Sequence, residues 1–138
     1  MQDAFGRAGN ISRVFSGDLW NIPDKLITFA DFDPFRRTEH ETRYVLVLQG
    51  DEHGDNALCE TVLVCPLSSN LEQKQPWEAS LLTAEAGLRK ESLVKLQLMQ
   101  PVNRRRLLRD GTRSGSIEED VLRRLRHHLL QNLGIVAR

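Results

Sequence analysis

An arginine at the start of an apolar run is the first residue of this chain whose type suits chemistry. Arg43 directly precedes residues 44–48, five consecutive apolar or aromatic side chains that predict a buried strand. A guanidinium is costly to bury, so we expect Arg43 at the mouth of the strand, where a groove could use its paired N–H donors. The alternative is an arginine that merely flanks the strand and pairs with Glu41 or Asp51.

Small polar groups follow the next apolar segment. Residues 60–65 predict a second strand, which we expect to end at Pro66 because proline cannot donate to a central ladder. Ser68, Ser69 and Asn70 are therefore predicted to lie just beyond the end of this strand.

Two further clusters are rich in arginine. In the long loop predicted over residues 24–42, Phe29 and two more phenylalanines at three-residue spacing precede Arg36 and Arg37. That cluster suits base stacking with phosphate binding, or equally a loop pinned to the core by its aromatic rings. Residues 103–106 form the densest positive patch, and this pattern favours a solvated turn or a cap for the C-terminal element.

The composition indicates one globular domain without an overall electrostatic bias. A chain of 138 residues has room for one modest core, and we expect a domain over residues 15–138 after a flexible extension over residues 1–14. The net charge is zero, although 15 of the 19 basic residues are arginine. With no membrane-spanning run and no secretory signal, we expect a cytoplasmic protein. Cys59 and Cys65 are predicted to be reduced structural thiols rather than a disulfide or a metal pair.

Short strands separated by turns make up most of the remaining pattern. They are predicted near residues 17–22, 43–50, 60–65, 77–83 and 92–98, with a further strand or turn at Val102. In residues 92–98, three aliphatic side chains alternate with Lys95 and Gln97, so one face should lie in the core and the other on solvent or a groove.

One long helix is predicted at the C-terminus. Apolar residues recur at every fourth position over residues 116–133, Ser116 and Glu119 match a capping box, and Gly134 is placed to end the helix. His127 and His128 are adjacent on it and point about 100° apart, which favours solvated surface over metal ligation. Strands at hairpin-like spacing and a terminal helix predict a mainly β, α+β fold: a small antiparallel sheet or partly closed barrel with a helix on it.

The order of these pieces resembles the MazF/PemK family of toxin endoribonucleases from bacterial type II toxin–antitoxin systems. The similar segments are GDLW at 17–20, RYVLVL at 43–48, VLVCPLSS at 62–69 and ESLVKLQLMQPVNRRRL at 91–107, followed by the helix and a Leu-Gly-Ile ending. The resemblance implies an SH3-like or plug β-barrel of about five to seven short antiparallel strands with a long C-terminal helix, assembled as a homodimer. It also implies cofactor- and metal-independent cleavage of single-stranded RNA, and an antitoxin whose disordered tail blocks the RNA groove.

By the same resemblance, Arg43 and Ser68 are the candidate catalytic residues. RNA carries its own nucleophile, the 2′-OH, which attacks the adjacent phosphorus, so the enzyme must stabilise negative charge and handle protons. Arg43 would ligate the phosphate in the transition state, and Ser68 would hydrogen-bond a non-bridging oxygen or steady the 2′-OH. The candidate RNA-binding residues are Lys95, Gln97, Ser69, Arg36, Arg37 and His40.

The chain departs from the family pattern next to these residues. Tyr44 stands where the family usually has proline, and Gln97 replaces the acidic residue of the late strand. Either His40 or Glu41 then supplies a base, or no base is needed, or activity is low. The alternative function is a non-catalytic member that binds RNA or antitoxin, or a gyrase poison like CcdB, which shares the fold. CcdB relies on a C-terminal Trp-Gly-Ile, whereas residues 133–135 here are Leu-Gly-Ile with three more residues after them.

Overall fold

A computed structural model describes residues 13–29, 41–50, 60–81 and 83–137. Within these ranges the chain forms seven strands and three α-helices. The strands are β1 (Asp18–Pro23), β2 (Thr42–Gln49), β3 (Thr61–Ser68), β4 (Ala79–Leu81), β5 (Ser92–Val94), β6 (Gln100–Asn103) and β7 (Thr112–Ser116). The helices are α1 (Thr83–Ala86), α2 (Arg104–Asp110) and α3 (Glu119–Asn132), and three single 3₁₀ turns cover Asp24–Leu26, Leu71–Gln73 and Leu96–Leu98.

The strands form one curled antiparallel sheet in the order β4-β5-β3-β2-β1-β7. Strand β3 is its hub, because one edge pairs with β2 while the other pairs first with β6 and then with β5. The first half of β3 therefore pairs with β6 and its last residues pair with β5, so β3 connects these two parts of the sheet. The result is a half-barrel, and it confirms the predicted mainly β, α+β class with a C-terminal helix.

Apolar side chains of β2 are buried on both faces of the sheet. Leu46 and Leu48 belong to a core that includes residues of α3, while Val45 and Val47 belong to a second core with Trp20 and with residues of α2. Successive strand residues point to opposite faces, so burial on both sides requires the unbroken apolar run seen in the sequence. The predicted strand is therefore confirmed, and it forms a rigid support for the residues at its start.

Several predicted boundaries are wrong. Strand β3 does not end at Pro66 but continues to Ser68, and the Pro66 carbonyl accepts a hydrogen bond from the Lys95 N–H at 3.1 Å. The strand expected over residues 92–98 stops at Val94 and is followed by a 3₁₀ turn, although burial still alternates from there to Leu98.

The arginine-rich segment and the residues after it are regular structure rather than a solvated turn. Residues 104–110 form α2, whose first turn is capped by the Asn103 side chain accepting the Arg106 N–H at 3.0 Å. Residues 112–116 then form β7 on the far edge of the sheet, paired with β1. The predicted capping box at Ser116 is wrong for this reason: Ser116 is the last residue of β7, and α3 begins at Glu119 without a side-chain cap.

The chain ends of the described fold are held by specific contacts. Val14 is fully buried in the second core, and a Cβ on Gly50 would lie 2.2 Å from the Val14 carbonyl oxygen. At the end of α3, Gly134 has a φ of 76°, and the N–H groups of Gly134 and Ile135 bond to the Gln131 and Leu130 carbonyls, a Schellman motif. The predicted helix end at Gly134 is confirmed, while residues 1–12 lie outside the described part of the chain.

Candidate functional site

A cleft of about 320 Å³ opens where the start of β2, the end of β3 and the approach to β5 meet. Antiparallel pairing brings these three chain segments to the same end of the sheet. The cleft has polar, apolar and basic walls, formed by Thr42, Arg43, Tyr44, Leu67, Ser68, Ser69, Leu88, Arg89, Lys90 and Ser92. Three of these side chains are cationic, and no carboxylate lines the cleft among the described residues.

A buried carboxylate holds Arg43 in place. The Arg43 Nε donates to Asp24 Oδ1 at 2.7 Å, Nη1 donates to the Leu67 carbonyl at 3.2 Å, and the guanidinium lies 4.5 Å from the centre of the Phe29 ring. The Asp24 side chain is 3% exposed and that of Arg43 is 14% exposed. The predicted partners were Glu41 or Asp51. The ion pair forms with Asp24, while the backbone carbonyl of Glu41 accepts the Asp24 N–H. The prediction for Asp51 lies outside the described residues.

The register of β1 and β2 explains this pairing. Ile22 lies opposite Arg43 and Pro23 opposite Thr42, so the residue after Pro23 comes directly beside the arginine. A 3₁₀ turn starting at Asp24 then directs the chain away from the sheet. The carboxylate is thus fixed by backbone pairing and does not depend on a flexible loop.

The Arg43 guanidinium has N–H donors that no described residue accepts. An arginine carries five N–H donors in a planar fork. One on Nε and one on Nη1 are bonded to Asp24 and Leu67, and the other three have no partner within the described part of the chain. Since the planar group is fixed at two points, the directions of the remaining donors are fixed as well.

Ser68 lies at the end of β3, on the strand next to Arg43. Val45 is opposite Pro66, and the same register extended by two residues sets Arg43 against Ser68. Both line the cleft together with Ser69. The half-buried Ser68 hydroxyl accepts the Asn70 N–H at 3.2 Å, which leaves its own proton available to donate.

The other candidate residues from the sequence are placed differently. Lys95 does not line the cleft: its Nζ lies 3.3 Å from Glu78 Oε2, and the two side chains are only 14% and 5% exposed. Gln97 is exposed on the 3₁₀ turn after β5, also away from the cleft lining. The predictions for Arg36, Arg37 and His40 lie outside the described residues, so the candidates that the structure brings together are Arg43, Ser68 and Ser69.

The sequence model of the family described as "PemK-like, MazF-like toxin of type II toxin-antitoxin system" matches residues 25–133. This chain belongs to the PemK/MazF-like toxin family. The match covers β2, β3 and every residue that lines the cleft, including Arg43 and Ser68. No curated protein sequence matches the chain.

Solved structures of related toxins share the fold. MazF in a MazE-MazF crystal (Form-II) from Deinococcus radiodurans is 20% identical, with 90% of this chain and 98% of that chain covered and a TM-score of 0.62. The D. radiodurans MazF crystal structure (Form-I) gives 20% identity, coverage of 88% and 97%, and a TM-score of 0.61. The Mycobacterium tuberculosis toxin MazF-mt6 gives 18% identity, coverage of 70% and 90%, and a TM-score of 0.55.

Several site residues of this PemK/MazF-like toxin are not evident in the sequence. Asp24 falls at the start of the predicted long loop, although a hairpin pairing of β1 with β2 would place it beside Arg43. Arg89 and Lys90 stand in a bend between α1 and β5 with no hydrophobic pattern to locate them. Phe29 is one of three similarly spaced phenylalanines, and its contact with the Arg43 guanidinium depends on the fold of the turn that follows β1.

Cys65 is a potentially reactive side chain that does not line the cleft. Cys65 is fully buried in the first core, and burial raises the pKa of its thiol to about 12, so it is protonated at neutral pH and a poor nucleophile. Among the described residues, no three His, Cys, Asp or Glu side chains come together as metal ligands. No helix in the same part of the chain is long and apolar enough to cross a membrane.

Proposed function

We propose that this member of the family is an endoribonuclease that cleaves single-stranded RNA at the cleft, acting in the cytoplasm as the toxin of a type II pair. The observation that carries the proposal is the Arg43 guanidinium, which is bonded to Asp24 and lines the cleft together with Ser68. Three of its N–H donors have no partner among the residues that the structure describes. A fixed cationic fork next to a hydroxyl suits a phosphodiester, because the phosphate offers two non-bridging oxygens to paired donors.

The chemistry requires few groups from the protein. The 2′-OH of the RNA attacks the adjacent phosphorus, the bond to the 5′-oxygen of the next nucleotide breaks, and the departing oxygen takes up a proton. Arg43 stabilises the extra negative charge on the phosphate oxygens, and Ser68 donates to one of them or orients the 2′-OH. A guanidinium is a reluctant acid because its pKa is high, so water serves as the proton source for the leaving oxygen.

Two residues are candidates for the general base that takes the proton of the 2′-OH. Glu41 is exposed at the start of β2, one residue from the cleft-lining Thr42. His40 is the other candidate, and it lies outside the described residues. Electrostatic stabilisation by a preorganised donor is commonly the largest contribution, about 10² to 10³ in rate for one donor. In a third form of the same proposal, Arg43 acts without a protein base and solvent water takes the 2′-OH proton.

The proposal extends to partners. D. radiodurans MazF has been solved in crystals described as MazE-MazF, and we infer that this toxin likewise has a cognate antitoxin, whose disordered tail covers the cleft. The cationic lining is complementary to an acidic tail as well as to RNA. We also propose a homodimer, in keeping with the family resemblance.

The test is cleavage of a mixed single-stranded RNA in the presence of EDTA. Wild-type protein should cut it, and Arg43→Ala should lower kcat about 10²- to 10³-fold. Arg109→Ala is the matched control, because Arg109 is an exposed arginine of α2 that pairs with the adjacent Asp110 away from the cleft. Circular dichroism of each variant establishes that it is folded.

One result would decide against an enzyme, and another against Arg43. If wild-type protein leaves the RNA intact, it is not the nuclease proposed here. If Arg43→Ala and wild type cleave equally well, Arg43 is not the catalytic group. Binding of RNA without cleavage would favour the second candidate function, a non-catalytic binding protein. The specific observation on that side is that neither a carboxylate nor an imidazole lines the cleft among the described residues.

A further inference from the structure

Tyr44 is a large aromatic side chain left partly exposed at the cleft. Its side chain is 40% exposed and lines the cleft one residue after Arg43, and it is the single tyrosine of the chain. Successive strand residues point to opposite faces, so Tyr44 is on the face of β2 that carries Leu46, while Arg43 is on the face that carries Val45. The two side chains therefore reach the same cleft from opposite faces of the sheet.

Another part of the cleft lining supplies positive charge. Leu88, Arg89 and Lys90 come from the bend that precedes β5, and both basic side chains are exposed. The chain as a whole has a net charge of zero, so the three cations in this lining are a local concentration rather than a general bias. Charge of this kind attracts phosphate from solution and binds it with a dependence on salt.

The dimensions suit a small occupant. A volume of about 320 Å³ is near the lower end of the range for ligand pockets and is sufficient for one nucleotide, not for a duplex. An aromatic face beside a basic wall is the combination that proteins use for unpaired bases, because every base has a face that can stack and every linkage carries a phosphate.

We propose that Tyr44, Arg89 and Lys90 form a subsite for the nucleotide adjacent to the phosphate that Arg43 holds. The base stacks on the Tyr44 ring, and the outer phosphate of that nucleotide pairs with Arg89 and Lys90. This inference rests on the proposed function, since it places the subsite next to the scissile phosphate. It makes Tyr44 a substrate-positioning residue that favours purines, whose larger rings stack more strongly.

The first test measures binding without cleavage. A short labelled oligodeoxyadenylate has no 2′-OH to react, and its affinity is read by fluorescence anisotropy. Tyr44→Leu should weaken binding about tenfold, within the range observed for the loss of one stacked base, and Tyr44→Phe should keep the wild-type affinity. Phe15→Leu is the matched control, because Phe15 is an aromatic of similar exposure, 43%, outside the cleft lining.

The second test observes the ring directly. Because the chain has one tyrosine, growth on fluorotyrosine gives a protein with a single aromatic fluorine resonance. That resonance should shift when oligodeoxyadenylate is added, and should stay in place with a sugar–phosphate strand of equal length that lacks bases. Replacing Arg89 and Lys90 by glutamine should reduce the slope of log affinity against log salt by about 0.7 for each phosphate that is no longer neutralised.

The outcomes separate this subsite from the proposed function. Equal affinity of wild type and Tyr44→Leu, or a fluorine resonance unmoved at saturating oligodeoxyadenylate, would overturn the stacking role even if RNA is cleaved with dependence on Arg43. An unchanged salt slope would overturn the role of Arg89 and Lys90. A shifted resonance and a weakened Tyr44→Leu variant in a protein that does not cleave RNA would support the subsite while refuting the nuclease.

Discussion

Removing the Asp24 carboxylate should destabilise the fold and free the guanidinium at the same time. Asp24 is 3% exposed and lies 2.7 Å from the Arg43 Nε, so its loss leaves a cation in a largely buried place without its partner. Breaking a buried pair from one side costs about 3–5 kcal/mol of the free energy of unfolding. Arg43 keeps 14% exposure, its bond to Leu67 and its contact with Phe29, so we expect about 3 kcal/mol for Asp24→Ala. Asp24→Asn retains an acceptor for Nε and should cost about 2 kcal/mol.

The measurement is a double-mutant cycle with Arg43→Met, which keeps the aliphatic stem and removes the charge. Urea unfolding is followed through tryptophan fluorescence, with Trp20 as a reporter that is 2% exposed in the native state. All variants are measured at one protein concentration, because any self-association makes apparent stability depend on it. The double variant Asp24→Asn/Arg43→Met should be more stable than the sum of the single changes predicts, with a coupling of about 1–3 kcal/mol.

Additivity would refute the reasoning. If the two single losses sum to the loss of the double variant within about 0.5 kcal/mol, the carboxylate and the guanidinium act independently. A stable Asp24→Ala variant would likewise show that the buried pair does not hold the start of β2. If the protein cleaves RNA as proposed, Asp24→Asn should lower kcat while KM changes little, since the proposed phosphate contacts of Arg43 would persist with a looser geometry.

Three further outcomes follow from the packing. Iodoacetamide should label Cys65 only after unfolding in urea, and the free energy of unfolding should fall between pH 9.0 and about 12, where the unfolded thiol loses its proton and the buried thiol keeps it. Lys95→Met removes the partner of the buried Glu78 carboxylate, so it should lower the free energy of unfolding by about 3 kcal/mol and leave RNA affinity unchanged. A variant with unchanged stability but weaker RNA binding would instead indicate that the Lys95 ammonium contacts RNA. Gly50→Ala should lower the free energy of unfolding by about 2–3 kcal/mol, because the added Cβ would lie 2.2 Å from a backbone carbonyl oxygen. Gly115→Ala is the control in the same unfolding assay: nothing lies within 4 Å of its added Cβ, so stability should change by less than about 0.5 kcal/mol.

The elements with buried apolar faces were predictable from the sequence, and those without them were not. β2 is buried on both faces and α3 on one, so each left a hydrophobic pattern. β7 has no buried residue, and α2 buries only Leu107 among its seven residues, so neither has a periodic hydrophobic pattern in the sequence. β7 is held by backbone hydrogen bonds to β1, and side-chain patterns do not record such pairing.

The candidate site was predictable only where it coincides with strand ends. Arg43 and Ser68 can be located because each adjoins an apolar strand, and the antiparallel register then brings them together. Asp24 cannot be located in this way, because its position beside Arg43 depends on how β1 pairs with β2. The two residues are 19 positions apart in the chain. Lys95 is expected on a groove only if the alternation extends beyond Val94. The strand ends there, and the ammonium pairs with Glu78 instead.

The sequence allowed two interpretations of Arg43: a structural ion pair, or a side chain whose donors face a groove. The two are compatible in the folded protein. Two of its N–H donors hold the side chain on Asp24 and Leu67, and three have no partner among the described residues. Because the guanidinium is planar and rigid, fixing the first two orients the others without further loss of side-chain entropy on binding. A lysine could not divide its donors in this way, since its ammonium is a point charge on a flexible stem. The ion pair therefore supplies the preorganisation that the proposed phosphate-binding role of Arg43 requires.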